Sequence, residues 1–143
     1  MLNILHGDYN AVEELFEFHI IAPLYWWQQA SLKYDVTMAI EPIDSYKRRD
    51  LMFESFDGDE PILEEVKTAL EQLAFEYADT KIERVKRMFN QLLPQGYMQV
   101  AVIKISKDRL LEDIQKITDE DEREWKDFKY GVEDYLEESY ENE

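Results

Sequence analysis

The chain has no cysteine. Disulfides, thiolate zinc sites, iron–sulfur clusters and cysteine nucleophiles are therefore excluded together, and a reducing compartment suits the composition. Histidine is nearly absent too, with only His6 and His19. The two are far apart in sequence, and no H-x-x-x-H or C-x-x-C pattern offers a local metal site. Both read as strand histidines that pack or hydrogen-bond. With four Gly and four Pro, the chain carries no Gly/Ser linker, low-complexity tract or repeat. No apolar run is long enough to span a bilayer, and the start MLNILHGDYN lacks the basic segment of a signal peptide. A cytoplasmic protein without membrane contact is expected. No Gly-rich loop precedes Lys-Ser/Thr, and no G-x-S-x-G elbow is present.

Bases are scarce and acids abundant: 16 Lys+Arg stand against 33 Asp+Glu, a net charge of −17. Nucleic-acid binding rests on neutralising phosphates, so direct DNA or RNA binding is not expected. Anionic membranes are disfavoured for the same reason. A basic protein partner is favoured, with ordinary solubility as the competing explanation. The charge is uneven, since residues 119–143 hold twelve acids and three bases.

A length of 143 residues, 45% of them hydrophobic and 13% aromatic, suits a single domain over residues 1–143. Leu2–Leu5 reads as a short strand ended by Gly7-Asp8. Asn10 is expected to cap a short helix with Val12, Leu15 and Phe16 on one face. Phe18–Ala22 reads as a buried strand, and Pro23 opens a helix through Tyr34. Val36–Ile40 and Leu51–Glu54 suit extended chain, with Pro42 between them. Asp57-Gly58-Asp59 reads as a turn and Pro61 as the start of a helix carrying Ile62, Val66, Leu70, Leu73 and Tyr77. Thr80-x-x-Glu83 reads as a capping box for a helix that turns Ile82, Val85, Phe89 and Leu92 inward. Tyr97–Ile105 alternates as a strand. Ser106 caps a helix with Leu110, Leu111, Ile114 and Ile117. Thr118-x-x-Asp121 starts an acidic C-terminal helix with Trp125, Phe128, Val132, Tyr135 and Leu136 inward. The expected class is α+β, a helix-rich single domain with a small sheet.

Three features bear on chemistry. Asp57-Gly58-Asp59-Glu60 has oxygens for a hard cation but not the spacing or closing Glu of a calcium loop, so no metal is expected. Tyr25-Trp26-Trp27 cannot point one way on a helix, because neighbours diverge by about 100°. One or two of these rings is expected to face a ligand, a subunit interface or a loop rather than the main core. Tyr46-Lys47-Arg48-Arg49 is a basic cluster that can hold a phosphate or pair with the acidic tail.

Two segments resemble a known family. Phe18-His19-Ile20-Ile21-Ala22-Pro23-Leu24-Tyr25-Trp26-Trp27-Gln28-Gln29 is similar to the strand, Ala-Pro, aromatic helix and Gln of flavin-dependent thymidylate synthases (ThyX), and closer to their small phage and prophage relatives. Gln91-Leu92-Leu93-Pro94-Gln95-Gly96-Tyr97-Met98-Gln99 resembles the Leu-Pro-(Gln/Ser)-x-Tyr segment of the same group. Trp125-x-x-Phe128 matches a final W-x-x-F helix. The resemblance implies a ThyX-like scaffold and its oligomeric habit. In the synthases R-H-R-x-x-S binds flavin. That place holds Leu32-Lys33-Tyr34 here, with Thr37 at the serine, Ala39-Ile40 and Pro42 further on, and only Gln29 in agreement. The arginine after the Leu-Pro-x-x-Tyr strand has no clear counterpart, although Lys107 and Arg109 lie near. Catalysis is not carried over.

The first expectation is a non-catalytic interaction protein, phage- or prophage-encoded and working in the host cytoplasm. It presents Asp119, Glu120, Asp121, Glu122, Glu124, Glu133, Asp134, Glu137 and Glu138 to a basic partner. A nucleic-acid enzyme is one such partner, with carboxylates in place of phosphates. The alternative is a flavin- or pyrimidine-nucleotide-binding protein or enzyme. There Tyr25, Trp26, Trp27 and Gln29 line a pocket for FAD and Lys47, Arg48 and Arg49 hold phosphate. A homo-oligomer is compatible with both.

Overall fold

The computed structural model describes residues 2–37, 60–93 and 97–141. In chain order these form β1 (Asn3–Asn10), β2 (Leu15–Pro23), α1 (Leu24–Lys33), β3 (Asp35–Thr37), α2 (Glu60–Thr80), α3 (Glu83–Leu92), β4 (Met98–Ser106), α4 (Lys107–Lys116) and α5 (Arg123–Glu141). The strands make one antiparallel sheet in the order β1-β2-β4-β3.

The sheet is built on a two-faced pattern. Phe16, Phe18, Ile20 and Ala22 of β2 alternate inward and lie beside Ala101, Ile103 and Ile105 of β4. Alternation with period two puts these side chains on one face. That face packs against Trp26, Trp27 and Ala30 of α1, Leu110 and Ile114 of α4, and Trp125, Phe128 and Val132 of α5. A second, smaller cluster joins Leu70 and Ala74 of α2 to Phe89 of α3, Leu93 and Tyr97. The Leu24 N–H donates to the Tyr97 carbonyl at 3.0 Å, which ties the start of α1 to β4.

Several expectations are corrected by local chemistry. Residues 11–14 form no helix but the turn of the β1–β2 hairpin, so Leu15 and Phe16 belong to a strand. Asn10 does act as a cap, its Oδ1 accepting from the N–H groups of Val12 and Glu13 at 3.0 and 3.1 Å, but it closes a turn. Glu14 completes the turn at φ 51°, a left-handed conformation. Gly7 does not end β1, which runs on to Asn10. The capping box at Thr80 does not form. Thr80 is the last residue of α2, its hydroxyl donates back to the Glu76 carbonyl at 2.8 Å, and Lys81 takes the left-handed conformation at φ 55°. Ile82 and Leu92 are exposed, while Val85 and Phe89 face inward. Ser106 precedes α4 without a side-chain cap bond. The acidic helix begins at Arg123 rather than 119, because residues 118–122 form a turn. There the Asp121 carboxylate accepts from the Thr118 N–H at 2.7 Å.

The extended reading of Val36–Ile40 holds through Thr37. Its remainder, Leu51–Glu54, Asp57–Asp59, Lys47, Arg48 and Arg49 lie outside the described residues.

Candidate functional site

The chain's two candidate residue sets meet where α1 crosses the start of α5. Trp26 and Trp27 are 0% and 2% exposed, so neither ring faces away from the core. Trp26 lies 5.0 Å from the ring of Trp125 and 5.6 Å from that of Phe128. The Trp27 indole N–H donates to the buried Gln99 carbonyl at 2.8 Å. The divergence of successive residues is met by sending the two indoles to different parts of one core, Trp26 to α5 and Trp27 to β4.

Tyr25 and Gln29 are spent on α5. The Tyr25 hydroxyl donates to the Glu124 carboxylate. The Trp125 indole N–H donates to Gln29 Oε1 at 2.7 Å, and Gln29 Nε2 donates to Glu122 at 3.4 Å. Burial and the bond to Glu124 raise the Tyr25 phenol well above its ordinary value. Burial pushes the Glu124 carboxyl up, but the opposing causes, led by the Tyr25 hydrogen bond and a backbone bond, leave the group below its ordinary value. Tyr34 repeats the theme at α4. Its hydroxyl donates to Asp113 at 2.7 Å, and burial with that bond raises its pKa.

The nine acidic candidates therefore separate. Glu124, 5% exposed and bonded by Tyr25, is buried between α1 and α5 and is not a surface contact for a partner, contrary to expectation. Asp121 caps the turn and Glu122 reaches Gln29. Asp119, Glu120, Glu133, Asp134, Glu137 and Glu138 are exposed. Among the described residues none of these six has a cation within ion-pair distance.

Four of them crowd the C-terminal half of α5 as Glu133/Glu137 and Asp134/Glu138, spaced i,i+4. Like charges at that spacing disfavour a helix by about 0.2–0.5 kcal/mol per pair. At Glu138, in the last turn, the negative end of the helix dipole adds to the repulsion, and that turn holds no base.

Beside them runs a groove of about 600 Å³ between β1 and α5, lined by Ile4, Leu5, Asp127, Tyr130, Asp134 and Glu138 among others. Two glycines permit the crossing that makes it. A Cβ on Gly7 would stand 2.8 Å from the Tyr135 ring, and one on Gly131 would stand 2.9 Å from Ile4 Cδ1. The Asp127 carboxylate accepts the Leu2 N–H at 3.1 Å and pins the start of the chain to α5.

Two features escaped the sequence reading. His6 and His19, distant in sequence, face each other in register across β1 and β2 with ring centroids 5.7 Å apart. Among the described residues, no group of three or more His, Cys, Asp or Glu can hold a metal ion. The other is a basic run at Lys81, Arg84, Lys86 and Arg87, legible as four bases in seven residues. Among the described residues no helix is long and apolar enough to cross a membrane.

No family model and no curated protein sequence matches the chain. Among solved structures, its fold is similar to that of Thymidylate Synthase X (ThyX) from Helicobacter pylori, crystallised with FAD and dUMP. The TM-score is 0.53 at 15% identity, covering 87% of this chain and 69% of that one. The scaffold expected from the two resembling segments is the scaffold found: a helix-rich α+β domain with a ThyX-like fold.

Proposed function

We propose that the protein is an acidic interaction module on a ThyX-like scaffold and binds a basic protein partner through α5. The observation that carries this reading is the pair of like-charge couples Glu133/Glu137 and Asp134/Glu138 at the negative end of a helix. The arrangement costs the free protein stability, and a bound cation relieves it. A basic nucleic-acid enzyme, met by carboxylates in place of phosphates, fits that chemistry. A phage or prophage origin with action in the host cytoplasm fits it as well.

Titration with a fluorescent oligolysine peptide tests the reading. Binding is expected at low salt and is expected to weaken steeply as added salt screens exposed charges. The double variant Glu133→Gln/Glu137→Gln is expected to bind more weakly. Salt-independent affinity, or no binding at low salt, refutes the proposal.

Similarity to a synthase crystallised with FAD and dUMP favours a second reading, a flavin- or pyrimidine-nucleotide-binding protein. The described residues it assigns do not fit the group. Trp26 and Trp27 are enclosed, and Tyr25 and Gln29 are bonded to α5, so no open aromatic platform is left among them. Lys47, Arg48 and Arg49 lie outside the described residues. A ligand that binds the native state raises the melting temperature. Saturating FAD or dUMP is expected to leave it unchanged, and a rise would restore the second reading.

A further inference from the structure

We propose that the groove between β1 and α5 seats an extended, lysine- or arginine-rich segment of the partner, which adds to the sheet as a strand beside β1. The proposal rests on the acidic-module reading and names the mode of binding. Among the described residues β1 has a strand neighbour on one side only. Its other edge therefore offers backbone N–H and C=O groups for pairing. The other wall of the groove is α5, which contributes Asp134 and Glu138, both exposed and, among the described residues, without a cation in reach. Leu5 and Tyr130, 56% and 52% exposed, supply apolar surface in the same groove.

The occupant follows from charge and geometry. A second copy laid edge to edge would bring two sets of these carboxylates, and two copies of Asp8, into one seam. A lysine-bearing strand meets them with opposite charge. Side chains of an added strand alternate, so every second residue reaches α5 while the others point to the opposite face of the sheet. The register shift at Leu5, which has no partner on β2, interrupts the edge. A short segment can pair there more readily than a long sheet edge can, which suits peptide capture over self-assembly.

The experiment compares three peptides of equal charge on the full chain at low salt. One alternates lysine with valine and threonine over about five residues, the length of an ordinary strand. The second has the same sequence with N-methyl groups on alternate backbone nitrogens. The third is an alanine–lysine helix. The first is expected to bind at least about tenfold tighter than the others. Asp134→Asn/Glu138→Gln is expected to weaken it about fivefold, as loss of two exposed ion pairs implies. Glu71→Gln/Glu76→Gln on α2 removes as much charge and is expected to change it less than twofold. Equal binding of all three peptides overturns strand addition and leaves the acidic-module reading standing. Absence of binding by any peptide overturns both. Mass that rises with protein concentration, without peptide binding, assigns the edge to a second copy and overturns the proposal.

Discussion

Alanine at Gly7 and alanine at Gly131 add the same methyl group to opposite sides of one crossing, and their effects on stability should differ. At Gly7 the new Cβ would lie 2.8 Å from Tyr135 Cε2 and 3.0 Å from Phe18 Cδ1 and Cε1. Those rings have little room to give. Phe18 is fully buried, stands edge-on to Tyr135 at 5.3 Å and stacks on Phe16 at 5.7 Å. Overpacking of this kind costs about 1–3 kcal/mol. Alanine recovers about 0.5–1 kcal/mol of backbone entropy in return. The net expectation for Gly7→Ala is a loss of about 1–2 kcal/mol.

At Gly131 the new Cβ would lie 2.9 Å from Ile4 Cδ1 and 3.2 Å from Cγ1. Here the obstacle is the end of a flexible side chain that borders the groove and can swing into it. Alanine inside a helix gains about 1 kcal/mol over glycine. Gly131→Ala should therefore be near neutral. For a chain of this size about 1 kcal/mol moves the melting temperature by roughly 4 °C. Scanning calorimetry should show Gly7→Ala lower by several degrees and Gly131→Ala close to the parent. The Gly7→Ala penalty should also shrink when Tyr135→Leu is the background, since the clash is shared between the two sites. A neutral Gly7→Ala, or a larger loss at Gly131, would refute the packing argument.

Trp27→Phe removes the donor to the buried Gln99 carbonyl and should cost about 1–3 kcal/mol in urea denaturation. A loss below that range would mean the hydrogen bond contributes little. The Tyr25 and Tyr34 phenols are raised from 10.0 in the folded state, so their contribution is complete below pH 10 and is lost as pH climbs above it. Thermal melts should fall above about pH 10 while ultraviolet absorbance shows these two tyrosines ionising last. The Glu124 carboxyl is held below its ordinary 4.5, so its contribution is present above that value and lost as pH falls through it. Glu124→Gln should flatten the acid limb of the stability profile, and an unchanged limb would show that the Glu124 carboxylate contributes little to it.

Most helices and both long central strands are legible in the sequence because their period matches their burial. Leu110 with Ile114, and Trp125 with Phe128 and Val132, repeat at helical spacing and are buried where that spacing puts them. The misreadings have local causes. Asn10 satisfies N–H groups two and three residues on in a hairpin turn much as it does at a helix start, so the residue alone cannot tell the two apart. The Thr80 hydroxyl donates back to Glu76 at 2.8 Å and accepts only a long 3.4 Å bond from the Ile82 N–H, so the cap position of α3 falls to Ile82. The candidate site was legible as an acidic composition but not as a groove. Its walls are β1 and α5, far apart in the chain, and the Gly7 and Gly131 contacts that set their spacing exist only after folding. Tyr25 and Glu124 looked like two separate site candidates because the sequence places them 99 residues apart.

The same helix divides its surface between two tasks, and one substitution separates them. Trp125, Phe128 and Val132 hold α5 to the sheet, while Glu133 and Glu137 face outward with no cation in reach among the described residues. Replacing Glu137 by Lys leaves the buried stripe untouched. It removes the Glu133/Glu137 couple among others, creates a Glu-to-Lys pair in the favoured i,i+4 order, and places a base near the negative end of the dipole. Two contributions of about 0.3–0.5 kcal/mol and one of similar size make Glu137→Lys about 1 kcal/mol more stable. If α5 exists to meet a basic partner, that gain comes with weaker oligolysine binding and a shallower salt dependence. A variant that is both more stable and equally tight would show that the acidic couples serve solubility alone. A variant that is less stable would show that the carboxylates are not strained in the free protein, and the argument for a relieving cation would fall with it.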